Sequence, residues 1–555
     1  AVINFENVDF RYDGAEEPVL SALTLRIPEG EMCLVIGPSG SGKTTLLRMI
    51  NGLVPHFTGG TISGTVSVAD RSTAHHRPRD LADLVGFVGQ DPFAGFVADT
   101  VEDELAYAME SLGVPTDIMR RRVEETLDLL GLTALRRRAL RGLSGGEAQR
   151  VAIGAAMTAH PRVLVLDEPT SALDPSAAED VLASLQRLVH DLGVTVVLAE
   201  HRLERVAQYA DRVVLVPGGG RPVIVGTPAD VLRDSALAPP VVALARTAGW
   251  SATPLSVREA RRSAPQLREQ LSGSTDAETV ATSRPERDHS SSAIELRDVR
   301  VGYGRREVLH GTSLTIDGGQ VVALMGRNGA GKSTLLSAMA GLRTPFRGRV
   351  RIAGLDPAVL APHDLVTTVG LVPQQAADLL YAESVDLECR QTDRDAQLAP
   401  GTTAAVLARI APWVPKSAHP ADLSEGSRLA VALSVVLAPD PTVLLLDEPT
   451  RGLDLSAKDL LIQVLREAAE RGRTVVLATH DVELVAEVAS RTIVVADGEI
   501  VADGTTRRIV TSSPMFAPQV SKVLAPLELL TVREVESVLA RTLATSERDG
   551  KDQIS

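Results

Sequence analysis

Apolar residues along this chain fall into short runs, each closed by a glycine, a hydroxyl or a charged residue. Residues 32–36 (Met-Cys-Leu-Val-Ile), 163–166 and 194–199 form three such runs. They return as residues 321–325, 443–446 and 475–479. Runs this short, rich in Val, Leu and Ile, predict strands buried on both faces. Helical stretches separate them, and one precedes each Leu-Ser element near residues 143 and 423. Strands alternating with helices predict an α/β fold, a mainly parallel sheet covered by helices. Residues 271–292 (Ser-Gly-Ser-Thr-Asp, later Ser-Arg-Pro-Glu-Arg-Asp-His-Ser-Ser-Ser) have no aromatic residue and no periodic apolar face. They predict a flexible linker with an r.m.s. span of about 25 Å.

The pattern repeats because the chain does. Lys332 follows Lys43 by 289 residues, Asp447 follows Asp167 by 280, and His480 follows His201 by 279. A period this long marks a duplicated domain and not a solenoid unit. The expected organisation is a first domain over 1–230 with an extension over 231–270, the linker at 271–292, a second domain over 293–505, and a C-terminal extension over 506–555. A linker of this kind holds the halves at an effective concentration on the order of millimolar, so they would pair with each other.

Composition narrows the class of function. The 555 residues carry 57 basic and 71 acidic side chains, a net charge of −14. That balance argues against a protein whose main task is gripping nucleic-acid phosphates. Hydrophobic residues make up 44% of the chain, yet no window approaches the uninterrupted apolar run of about eighteen residues that a membrane span requires. Any membrane role would be peripheral. No basic-then-apolar leader opens the sequence, so no secretory signal is expected. The two cysteines, Cys33 and Cys389, lie far apart; with Cys33 inside an apolar run, they suit a reducing compartment and a structural role.

Two glycine loops carry the strongest chemical signal. Gly37-Pro38-Ser39-Gly40-Ser41-Gly42-Lys43-Thr44, followed by Thr45, returns as Gly326-Arg327-Asn328-Gly329-Ala330-Gly331-Lys332-Ser333, followed by Thr334. Each sits between an apolar run and a helical pattern. Glycines let successive N–H groups curl around phosphate oxygens, and the following helix adds its dipole. Lys43 and Lys332 would reach the β- and γ-phosphates, and Thr44 and Ser333 would hold Mg²⁺. The 163–166 and 443–446 runs then end in Asp167-Glu168 and Asp447-Glu448. There the aspartates would bind Mg²⁺, and Glu168 and Glu448 would orient and activate water. His201 and His480 follow the next apolar runs and would sense the γ-phosphate. Ser144-Gly145-Gly146-Glu147 and its altered copy Ser424-Glu425-Gly426-Ser427 are helix starts by their chemistry. An open helix N-terminus can cap itself or offer N–H donors to a phosphate held by another domain.

These motifs, in this order and twice over, resemble those of ATP-binding-cassette (ABC) ATPases across nearly the whole chain. The resemblance implies two P-loop NTPase domains of ABC type in tandem, each with a helical subdomain, binding ATP and Mg²⁺ and pairing head-to-tail. It places Tyr12 and Tyr303 against adenine, Gln90 and Gln374 at the metal- and water-sensing glutamine, and Asp174 and Asp454 in the loop that crosses the dimer interface. It also makes the sites composite: Lys332 would face Ser144, Gly145, Gly146 and Glu147, while Lys43 would face Ser424, Gly426 and Ser427, with Glu425 replacing a glycine. Residues 51–57, 99–107 and 513–520 resemble the fused ATPases of energy-coupling-factor (ECF) importers. That implies a motor on the cytoplasmic face of a membrane, partnered by a transmembrane coupling protein and a small substrate-binding membrane protein. Glu102 and Asp103 would then meet arginines of a membrane subunit, or simply complete the first turn of a helix. The alternative from another class is a soluble tandem ABC ATPase acting on ribosomes or translation, although such proteins usually carry a long charged helical linker.

Overall fold

A computed structural model of the chain describes residues 1–171, 173–272, 292–304, 306–514 and 516–541. It divides into two compact units, 1–242 with 253–256, and 243–252 with 257–555.

In the first unit the buried runs become the strands Met32–Ile36, Val163–Asp167 and Thr195–Ala199, with every residue buried. Together with Val85–Val88 and Arg212–Leu215 they form a parallel sheet, and Ile224–Gly226 adds an antiparallel edge. The strand order puts Met32–Ile36 between Thr195–Ala199 and Arg212–Leu215, although it comes first in the chain. That reversal of strand order opens a crevice at the carboxyl ends, where ligands of open α/β sheets bind. A second, antiparallel sheet is built on Ile3–Arg11, Leu20–Ile27 and Thr61–Val68, whose alternating burial keeps one face in the core. Three helices, Val101–Ser111, Thr116–Leu129 and Gly145–Met157, make up the helical part.

The second unit repeats the plan. Val369–Val372, Val443–Asp447, Thr474–Ala478, Val321–Met325 and Arg491–Ala496 lie parallel in that order, closed by antiparallel Glu499–Thr505. The antiparallel layer consists of Ser292–Tyr303, Arg306–Asp317 and Arg347–Ile352. Its helical part is Val385–Asp395, Thr402–Ile410 and Glu425–Leu437. The tandem α/β architecture expected from the repeat is therefore present in both halves.

The stretch read as an extension of the first half is divided between the units. Helix Pro228–Asp234 belongs to the first, whereas Val257–Ser263 and Pro265–Ser272 belong to the second. There Arg261 and Arg268 donate to the backbone carbonyls of Lys522 and Val523, at the end of helix Gln519–Leu524. Of the expected linker, residues 271 and 272 end a helix and Ser292 opens a strand; residues 273–291 lie outside the described residues, as do 542–555 of the C-terminal extension. Among the described residues no helix is long and apolar enough to cross a membrane.

Both cysteines are buried and free. Burial pushes the Cys33 thiol up to about 12 and that of Cys389 to about 11. A thiol so far above ambient pH has almost no thiolate with which to react. Neither cysteine should therefore be alkylated by iodoacetamide at pH 8 in the native protein, and both should be in guanidinium chloride, as mass spectrometry can count. Rapid native labelling of Cys33 would show that its strand is not held in the core.

Candidate functional site

Each phosphate loop leaves its strand by a turn that only glycine fits. A Cβ at Gly37 would lie 2.2 Å from the Val216 carbonyl oxygen, and one at Gly326 would lie 2.2 Å from that of Val495. Contacts that short never occur between real atoms, so the neighbouring strand fixes the residue type. The helices then begin at Lys43 and Lys332, after Gly42 and Gly331 in the left-handed region (φ 105° and 101°). Lys43 Nζ donates to the Gly37 and Pro38 carbonyls, both at 2.9 Å. Lys332 does the same to Gly326 at 2.8 Å and Arg327 at 3.3 Å. These bonds hold the loop curled with its lysine at the centre.

The strand-end carboxylates meet the loops. Thr44 Oγ1 donates to Asp167 Oδ2 at 2.9 Å, and Ser333 hydrogen-bonds Asp447. Burial pushes both aspartates above the usual carboxylate range, with the hydroxyl bonds opposing it. Glu168 accepts from Gln90 Nε2 at 3.2 Å and lies 3.1 Å from His201 Nε2. Glu448 lies 2.8 Å from His480 Nδ1 and 3.7 Å from Lys332 Nζ. Both glutamates adopt positive φ, 51° and 47°. For a non-glycine residue that backbone costs of order 1–3 kcal/mol and persists only where the surroundings impose it. Its recurrence at the same place in both halves points to a site.

In the second unit Tyr303, Asn328, Lys332, Ser333, Gln374 and Glu448 line one cavity of about 480 Å³, together with Gly329, Ala330, Gly331 and Thr334. The tyrosines are tied to the loop helices: Tyr12 Oη is 2.8 Å from Thr45 Oγ1 and Tyr303 Oη is 3.4 Å from Thr334 Oγ1. A model of the family described as ABC transporter matches residues 20–171 and 309–451, the parts that hold both phosphate loops, both Asp-Glu pairs and Gln90 and Gln374.

The chain belongs to the ABC transporter family. A relative from Streptomyces coelicolor that bears the name ABC transporter ATP-binding protein is 56% identical over 97% of this chain and all of its own length. Another so named, from Methanosarcina acetivorans, is 31% identical over 99% of this chain and 92% of its own. A solved complex containing the archaeal ribosome recycling factor aABCE1 aligns with 91% of each chain at a TM-score of 0.58 and 20% identity, a likeness of fold. The two halves are thus ABC ATPase domains, which in this family bind ATP with Mg²⁺.

The residues present fit those groups. The loop has no room for a Cβ at Gly37 or Gly326, and Asp447 Oδ1 is a buried acceptor without a hydrogen-bond donor among the described residues. Such an atom is costly to bury unless a cation completes it. Thr44 with Asp167, and Ser333 with Asp447, would hold Mg²⁺; the glycine loops would hold the phosphates.

The remaining predicted residues serve as helix caps here. Ser144 and Glu147 form a reciprocal capping box, with Ser144 N to Glu147 Oε2 at 2.7 Å. Ser424 caps its helix by accepting from Ser427 N at 3.2 Å. Glu425 is drawn to Arg428 on its own helix at 2.7 Å. Asp174 and Asp454 cap the helices Pro175–Leu192 and Leu455–Glu470. Sequence reasoning missed Glu200, which is fully buried at the first site and accepts from Thr170 N at 2.7 Å and His201 N at 3.3 Å. Burial pushes its carboxyl up. The available signal was a charged residue ending an apolar strand where the other half has Thr479.

The strained electrostatics of Asp447 yield a test. A carboxyl whose folded pKa is raised loses stability as pH climbs past its unfolded pKa, so it costs stability at neutral pH. Asp447→Asn should therefore raise the Tm of the nucleotide-free protein while weakening the Mg²⁺ dependence of ATP binding about 10–100-fold. Calorimetry with and without Mg²⁺ checks both signs, and a lowered Tm with unchanged Mg²⁺ dependence would contradict the assignment.

Proposed function

We propose that this chain is the ATP-hydrolysing motor of an importer of the energy-coupling-factor type, acting at the cytoplasmic face of a membrane on separate membrane subunits. One observation carries the reading: two complete sets of phosphate loop, strand-end Asp-Glu pair and histidine share one chain whose described residues contain no helix able to span a membrane. A transporter motor so built must pass its motion to other proteins. The importer type rests on residues 51–57, 99–107 and 513–520, apart from Met515, which lies outside the described residues.

In this mechanism the halves pair head-to-tail, so each glycine loop is completed by the capped helix start of the other half. Mg²⁺, when bound, neutralises charge on the phosphate oxygens. Glu168 and Glu448 accept a proton from water, held at the required angle by the contacts of Gln90, His201 and His480. The halves close on nucleotide and reopen after hydrolysis. The two sites are unequal, because Ser144-Gly145-Gly146 is intact while Glu425 replaces a glycine. The ion pair to Arg428 draws that carboxylate back along its own helix, which spares the second composite site a bare negative charge.

Docking of a membrane subunit is assigned to the surface that follows Gln90. Phe93, Val97 and Tyr107 are exposed there at 43%, 62% and 43%. Thr100 caps the helix and donates its hydroxyl to the Asp103 carboxylate at 2.6 Å, which engages Asp103 in the first turn and favours Glu102 as the partner of a membrane-subunit arginine.

Two measurements test the proposal. Glu448→Gln should lower steady-state ATPase on the order of 10²-fold, and Glu168→Gln by clearly less; equal losses would remove the asymmetry. Affinity purification from detergent-solubilised native membranes should recover small helical membrane proteins in stoichiometric amount, and Glu102→Lys should lose them. Recovery with ribosomal proteins, and none from the membrane, would replace the importer reading with the translational one.

A further inference from the structure

The two tyrosines at the phosphate loops are supported differently. Tyr12 is held edge-on by the buried ring of Phe10, with centroids 4.8 Å apart and planes at 85°. In the second unit the residue two before the tyrosine is Val301, which has no ring to offer, and Tyr303 is 46% exposed. The guanidinium of Arg343 lies over its ring instead, 4.2 Å from the centroid. Arg343 stands at the place that buried Val54 takes in the first half, 289 residues earlier. The supports have changed places between the halves: an aromatic residue from the same strand in one, a cation from beyond the loop helix in the other.

Arg343 is placed to act on the ring without entering the site. Tyr303 lines the 480 Å³ cavity together with the phosphate loop, and Arg343 does not. The guanidinium over the ring therefore stands outside the residues that line the cavity. Its backbone N–H donates to the Ser337 carbonyl at 3.2 Å, in helix Lys332–Met339. That helix starts at the phosphate-binding lysine, and its Thr334 contacts the Tyr303 hydroxyl. Ring, cation and phosphate loop are therefore tied to one short helix.

We propose that Arg343 is a positioning residue for the second nucleotide site: it clamps the Tyr303 ring by a cation–π contact so that the free face is presented to the purine. The proposal rests on Tyr303 being the purine platform. An exposed cation–π contact is modest, so the effect is a tuning of affinity confined to one of two sites.

The test uses the full chain carrying Lys43→Ala, which silences the first loop, and titration calorimetry with two probes, ATP and inorganic tripolyphosphate, in Mg²⁺. Arg343→Ala should raise the Kd for ATP about two- to fivefold and leave that for tripolyphosphate unchanged. Tyr303→Ala should raise the ATP value about tenfold, again sparing tripolyphosphate. Equal weakening of both probes by Arg343→Ala would mean that the arginine merely attracts polyanions, and would overturn the proposal. An unchanged or lowered Kd for ATP would overturn it too, the lowered value showing that the guanidinium occupies the face the purine needs. If Tyr303→Ala leaves ATP binding intact, the platform reading falls and takes the role of Arg343 with it. If Tyr303→Ala weakens binding and Arg343→Ala does not, only the role of Arg343 falls.

Discussion

Everything in each half hangs on one backbone constraint: a strand in the middle of a parallel sheet must turn sharply into a helix with its N–H groups facing inward. The carbonyl of a neighbouring strand sits where a Cβ of Gly37 or Gly326 would be, so that turn has no freedom of sequence. Lys43 and Lys332 donate to the loop's own carbonyls and keep it curled. The carboxylates Asp167 and Asp447 arrive at the loop hydroxyls because their strands lie two places away from the central strand, across Thr195–Ala199 and Thr474–Ala478. Remove the loop, and two buried aspartates with raised pKa values have nothing to compensate them. The fold tolerates that cost because phosphate and metal binding require it.

Duplication has preserved this constraint and relaxed others. Both halves keep the glycine cradle, the strained glutamate and its histidine. They differ where a site meets its surroundings: Glu200 against Thr479 beside the histidine, the capping box of Ser144 and Glu147 against Ser424 and Ser427, and Phe10 against Arg343 under the tyrosine. A tandem chain can hold such differences because, in the proposed head-to-tail pairing, each half would fill only one place. Unequal sites of that kind would let nucleotide bind and leave at different rates on the two sides of the proposed cycle.

Much of this was legible in the sequence because the deciding interactions are local. Buried strands of five residues, glycine loops and strand-end carboxylates are written in contiguous residues, and the repeat states them twice. The capping role of Ser144 followed from residue type and spacing, whereas those of Asp174 and Asp454, read from the sequence only as loop residues, came from the structure. What stayed hidden depends on residues distant in the chain. The contact of Arg343 with Tyr303 spans 40 positions and has no motif. Helices Val257–Ser263 and Pro265–Ser272 follow the first domain in sequence yet pack in the second unit, through carbonyls of Lys522 and Val523 more than 250 positions away. Glu425 shows the intermediate case: its partner Arg428 is one helical turn away, so an apparent defect in the motif is corrected by chemistry already present beside it.

The central claim is that the two halves form a motor whose stroke is closure on nucleotide. It is tested most directly by the distance between spin labels at the exposed, equivalent positions Glu179 and Asp459, on the helices that follow the two Asp-Glu pairs. Cysteines introduced there would be labelled selectively, because Cys33 and Cys389 are buried. Measured by pulsed electron resonance in the Glu168→Gln, Glu448→Gln double variant, the distance should shorten and its distribution narrow when ATP and Mg²⁺ are added, and not with ADP. A distribution that ATP leaves unchanged, with binding verified in the same sample, would contradict the account.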